Sequence, residues 1–416
     1  MGLQYGTRLV VLSLAGGCFI ESSGTSTDGP STAGESTTTT TTAATTEAIG
    51  TSTSSDVDTD ATADSSTSTG APSCEGNLSD SPALCVQATW ALVVLGPVVS
   101  IRRAKFDDGA DDLLVAVGGG TPRLTWVLGG ADPTVGSINA FVGERQVVGD
   151  AGGGASDEIV VIGEGELSSD LQVYSWDGKE LVLEAQREPD AGEHFVTATL
   201  VASSAPSVAW ITDASRIDVA SVANLLSPFA VASTMGKIVD LTVGRQGGVE
   251  FLINCAQNDA TTYPIAAGSM PMATTEGVPG TISACVAGRL DADEDTDLVF
   301  LLAESSQLAT LRAGNTPGTF DLRGVVDLNA VPLEAAFGDL DGDGDFDLVV
   351  RQQGLFYLRV IWIDDEGAPS MGPKVLLDGA PGSLAVGNFD GEGGPDIAYT
   401  LDETLQVLSV SPGTGA

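Results

Sequence analysis

Five aspartates alternate with other residues in the stretch 338–350, GDLDGDGDFDLVV: Asp339, Asp341, Asp343, Asp345 and Asp347. Carboxylates this close repel one another unless a cation lies among them. A hard divalent cation such as Ca²⁺ takes about six to eight oxygens at roughly 2.3–2.6 Å. A short loop can supply them from carboxylates at its first, third, fifth and ninth positions and a backbone carbonyl at its seventh. Here those are Asp339, Asp341, Asp343, Asp347 and the carbonyl of Asp345. Gly344, in sixth place, permits the sharp turn that aims them inward. The helix–loop–helix calcium hand is excluded, because it needs a bidentate Glu in twelfth place and a helix on each side. Val350 stands in that place, and the run Asp347-Leu-Val-Val reads as a strand.

Other reactive side chains are sparse. The single histidine, His194, lies in Glu-His-Phe-Val with no motif around it and reads as an ordinary strand or loop residue. That argues against imidazole acid–base chemistry and multi-histidine metal sites. No G-x-S-x-G elbow and no phosphate-binding glycine loop with lysine occurs. Carboxylates are plentiful, so a hydrolase working with two of them stays open as an alternative. With 57 acidic residues against 17 basic ones, the chain carries a net charge of −40. Such a surface repels nucleic acid and anionic lipid and favours cations.

Cys18 stands alone near the N-terminus, whereas Cys74, Cys85, Cys255 and Cys285 can form two pairs. Four cysteines allow three connectivities. The expected pairs are Cys74–Cys85 and Cys255–Cys285, each closing a modest loop, which implies an oxidising compartment. Residues 1–17 read as a secretory signal, with Arg8, a short apolar run over 9–14 and the small residues Ala15, Gly16 and Gly17 ahead of Cys18. That ending resembles the lipobox of bacterial lipoproteins, although Ala15 stands where Leu is commoner. The resemblance implies lipid attachment at Cys18 and a place in the bacterial cell envelope, at the outer membrane or cell surface, or otherwise secretion. Phe19 is not an aspartate retention signal, which leans toward the outer membrane. Residues 18–73 form a Ser/Thr-rich tract with almost no large apolar side chains, the composition of a disordered tether. As a flexible coil of about 50 residues it would span roughly 40 Å.

From Cys74 to residue 416 the texture is all-β. Short Val/Leu/Ile runs alternate with Gly, Asp, Pro and Ser breakers, and helical periodicity is scarce. Acidic or turn-like loops run into apolar strands at Asp112, Asp157, Ser207, Glu250, Asp297, Asp347 and Asp396, at a mean spacing of about 47 residues. A period of roughly 40–50 residues in an all-β chain indicates propeller blades of four strands. Seven anchors predict seven blades, each loop joining a blade's first strand to its second. Only two strands follow Asp396, so the segment 88–95 is expected to complete the last blade and close the ring.

These units resemble FG-GAP/VCBS repeats, the type found in the propellers of integrin α-subunits and in many bacterial surface proteins. The likeness covers roughly residues 88–416 and is most specific over Asp339, Asp341, Asp343, Asp345 and Asp347. It implies a seven-bladed β-propeller with Ca²⁺ loops on one face and a ligand or partner surface. Carried over by position, it implies a second site at Asn388, Asp390, Glu392 and Asp396. A third would comprise Asp291, Asp293, Asp295 and Asp297, where Arg289 occupies the first position. Arg289 either swings out or replaces the cation with a salt bridge. Asp107 and Asp112 belong to a loop one residue shorter, and the loops before Asp157, Ser207 and Glu250 read as structural turns.

The functional expectation is a surface-anchored, calcium-binding module that binds an unidentified protein or glycan without catalysis. It would act as a monomer, touch the membrane through its lipid alone and take no nucleic acid. The alternatives are a secreted or surface hydrolase or lyase on a propeller scaffold, and a purely structural envelope protein. Trp90, Trp126, Trp176, Trp210 and Trp362 are expected in packing rather than on a sugar platform, and Phe106, Phe337 and Phe389 as anchors of the loops that follow them.

Overall fold

The computed structural model describes Cys74 and residues 76–413, apart from 95, 120, 141–144, 150–155, 165–168, 191–193, 202–205, 213–215, 234–237, 266–272, 275–279 and 292. The expected signal, the Cys18 lipidation site and the tether over 18–73 lie outside the described residues. Among the described residues, no helix is long and apolar enough to cross a membrane.

The alternating runs and breakers resolve into seven antiparallel sheets of four strands each. Blades 1 to 6 are built from consecutive strands spanning 98–139, 145–187, 195–233, 238–274, 282–327 and 332–376. Blade 7 combines Leu384–Gly387, Asp396–Leu401 and Thr404–Pro412 with a strand from the start of the domain, Leu84–Val93. This strand runs antiparallel to Thr404–Pro412, with Leu84 opposite Pro412 and Val93 opposite Thr404. The sequence placed it over 88–95; it begins earlier because Leu84 and Val86 are fully buried. The Asn77 side chain holds its entry, donating to the Leu84 carbonyl at 2.9 Å and accepting from the Val86 amide at 2.9 Å. Disulfides join Cys74 to Cys85 and Cys255 to Cys285, the pairing expected. The second links blade 4 to blade 5.

Second strands sit between two others, and both of their faces meet neighbouring blades. They are therefore apolar throughout, and Asp112–Val117, Ser207–Thr212 and Asp297–Leu302 are buried at every position. Seven apolar clusters fill the seven blade-to-blade junctions. Trp126 and Trp210 belong to these clusters, and Phe106 stacks on Trp176 with ring centroids 5.2 Å apart. Phe106 and Phe389 are buried and Phe337 packs against the cluster between blades 5 and 6, as loop anchors should. Outer strands are largely exposed instead: Leu181–Arg187 buries its ends and exposes most of its middle. First strands face the ring centre and line a channel of about 940 Å³.

Candidate metal centre

Each of the seven anchor positions lies at, or within one residue of, the start of a second strand. The second strands therefore all begin on one face of the ring. In blade 6 the loop lies between Pro332–Gly338 and Asp347–Gln352. Gly342 and Gly344 take φ of 80° and 101°, left-handed values that a side chain would strain. With those turns made, the Asp339 carboxylate accepts from the Gly342 amide at 2.8 Å and Asp343 accepts from the Asp345 amide at 3.0 Å. One carboxylate oxygen from each of Asp339, Asp341 and Asp347 lies within 4.8 Å of the others. Among the described residues this is the one trio of His, Cys, Asp or Glu so gathered.

The electrostatics match an unmet demand for positive charge. Burial pushes the Asp347 carboxyl up to about 8; amides of Ile363 and Leu340 pull it down, and Asp341 and Asp343 push it up again. Asp341 is raised by burial and by Asp343. Asp345 is buried and reaches about 6, chiefly through desolvation and then through the Asp365 side chain. The donor set is all oxygen and all acidic, which fits Ca²⁺ rather than a soft metal.

In blade 7, Asn388 accepts from the Gly391 amide at 2.9 Å, and buried Asp390 accepts from the Glu392 amide at 2.8 Å. Asp396 takes the Phe389 and Asp390 amides on one oxygen, at 2.7 and 2.9 Å. Burial raises it to about 6. Glu392 is exposed at the loop's tip. This loop also locks the ring: the Asn388 amide donates to Asp111 of blade 1 at 2.8 Å, and the Asp111 amide donates back to the Asn388 carbonyl at 2.7 Å.

Blade 5 is arranged differently. Arg289 is exposed and lies over the Phe346 ring at 5.8 Å, out of its own loop. The guanidinium inside the loop is that of Arg312, from the third strand, paired with buried Asp291 and lying 3.4 Å from Asp293. Asp295 accepts from the Gly247 amide of blade 4 at 2.7 Å. Asp297 accepts from the Leu290 and Ala313 amides at 2.7 and 2.8 Å. Arg312 escaped the sequence reading because it lies beyond the loop, yet the strand register shows it. Leu298 pairs with Leu311, so Arg312 falls opposite Asp297. The corresponding partner of Asp396 is Ser409.

Blade 1 has a cation of its own as well. The Lys105 ammonium donates to the loop carbonyls of Gly109 and, at 3.3 Å, Ala110. Asp112 accepts from the Phe106 and Gly129 amides at 2.6 and 2.9 Å, and Asp107 accepts from Gly109 at 2.7 Å. The loop before Glu250 is a two-residue glycine hairpin, Gly247 and Gly248, with φ of 54° and 80°. His194 is exposed just ahead of the strand Phe195–Val201.

No family model matches the sequence, and no curated protein matches it. Among solved structures, one similar to this chain is the crystal structure of BBS1N in complex with ARL6DN, soaked with mercury. The identity is 12%, the TM-score is 0.54, and the match covers 80% of this chain and 98% of that one. A crystal of the same complex soaked with lead matches at 11% identity and a TM-score of 0.53, with the same coverage. At these identities the likeness is one of fold, a β-propeller.

Proposed function

We propose that the chain is a calcium-binding β-propeller of the FG-GAP/VCBS type, working as a non-catalytic binding module. It would be held at a bacterial cell surface by a lipid on Cys18 and a flexible tether. The observation that carries the metal reading is the convergence of Asp339, Asp341 and Asp347 oxygens within 4.8 Å. Asn388, Asp390, Glu392 and Asp396 would hold a second cation. Bound there, Ca²⁺ would neutralise crowded carboxylates and tie a blade's first strand to its second. A protein partner is the favoured ligand class, since the propeller of similar fold was crystallised in a complex with ARL6DN; a glycan is the other.

A ligand that binds only the folded state stabilises it, by about 1.4–2.7 kcal/mol at ten- to hundredfold excess over Kd. Millimolar calcium should therefore raise Tm relative to chelated protein, and Asp341→Ala with Asp343→Ala should reduce the rise. Identical melting curves with calcium and with chelator would sink the metal reading. Hydrolysis of a glycoside or ester panel, lost on mutation of particular carboxylates, would overturn the non-catalytic one.

A further inference from the structure

We infer that the central channel holds a binding site for a small hydroxylated monocarboxylate, such as a uronic acid, with Arg102 and Arg351 as its anchors. The channel, about 940 Å³, is of the size that takes small organic ligands. Its wall carries Arg102 from blade 1, Glu334 and Arg351 from blade 6 and Ser383 from blade 7. Glu334 receives Arg102 at 2.9 Å, Arg351 at 3.1 Å, the Ser383 hydroxyl at 3.0 Å and the Leu384 amide at 3.2 Å. Its acceptor capacity is filled by these four donors.

The two arginines are not. Arg102 uses one terminal nitrogen on Glu334 and the Ile101 carbonyl, and its Nε lies 3.3 Å from the Gln146 carbonyl. Among the described residues, Arg351 uses its Nε alone, on Glu334. The remaining terminal nitrogens carry N–H donors in the planar fork that suits a carboxylate. Around Glu334, two guanidiniums against one carboxylate leave one local positive charge, in a protein of net charge −40 and with the Asp240 carboxylate on another wall of the channel. A monoanion balances that charge; a dianion overshoots it. Arg103, on the same wall, is already paired with Asp111 at 3.0 Å. Asp240, on the blade 4 wall, accepts from its neighbour's amide at 2.9 Å. Thr197, Thr199 and Thr242 bring hydroxyls to the same channel, partners for a polyhydroxylated body.

The site competes with its own Glu334, and that makes it testable. Glucuronate, glucose and sulfate would be titrated into the full chain at low ionic strength, with chelator and again with calcium, by calorimetry and thermal shift. Glucuronate should bind saturably and glucose should not, with sulfate weaker than glucuronate. Glu334→Gln removes the competing charge and should tighten glucuronate about fivefold, the scale of one charge pair about 4 Å apart in water. Arg351→Gln and, separately, Arg102→Gln should each weaken it by a similar factor. Tm and near-ultraviolet circular dichroism of each variant without ligand identify any that fail to fold. If a folded Glu334→Gln binds no tighter, or both folded arginine variants bind as the parent does, the cluster is a clasp between blades and the proposal is overturned. The same holds if glucose binds as well as glucuronate. Because both arms run with and without calcium, failure here is separable from failure of the calcium loops.

Discussion

The Arg312 guanidinium occupies the blade 5 loop beside Asp291, which is only 3% exposed, and Asp293. Burial raises Asp291, and Arg312 opposes that rise by favouring the charged form. The loop thus carries its own cation, whereas in the blade 6 loop oxygens of Asp339, Asp341 and Asp347 gather within 4.8 Å of one another. Arg312→Gln strands a buried carboxylate, a change that costs about 3 kcal/mol at the lower end of the usual range. The variant should melt lower than the parent in chelator, regain part of the loss in calcium, and bind one more calcium per chain by calorimetry. Unchanged stoichiometry with no calcium rescue would show that Asp291 and Asp293 do not form a latent site. Nothing near the loop's own residues announces Arg312, and Arg289, the basic residue the sequence does place there, has swung onto Phe346.

At the scale of elements, the repeat was legible because every blade begins its second strand at a loop that must turn sharply and then become apolar. Asp112, Ser207, Asp297, Asp347 and Asp396 each open such a strand. The strand that closes blade 7 was legible as a shortage of strands after Asp396, but its bounds were not. They depend on contacts far away in the chain: the segment before it bridges Ser79 to Val375 and donates from Asp80 to the Lys374 carbonyl on blade 6. Such pairings leave no local pattern. They do predict where mutation hurts. Leu84 is fully buried in the cluster between blades 6 and 7, so Leu84→Ala should cost about 2–5 kcal/mol. Leu183, 46% exposed on an outer strand, should tolerate the same change within about 0.5 kcal/mol. Urea midpoints at constant slope would measure both. Equal effects would mean that the N-terminal strand does not hold the ring shut.

The ring as a whole concentrates acidic groups on one face and has few bases to set against them. Four loop carboxylates sit well above an ordinary aspartate: Asp297, Asp345 and Asp396 at about 6 and Asp347 at about 8, in each case first through burial. A carboxyl raised on folding binds its proton more tightly in the native state than in the unfolded one. Its contribution is therefore complete below the unfolded value of about 3.9 and is lost as pH climbs through the folded value. In chelator the protein should lose stability steadily between about pH 4 and 8, helped in that direction by the growing self-repulsion of a chain at −40. Calcium favours the ionised form of these carboxylates, so it should flatten the decline most above pH 6. The gap between loaded and chelated Tm should widen from pH 5 to 8.5. Parallel curves across that range would mean that these carboxylates take up no cation, and the acidity of this face would then need another explanation.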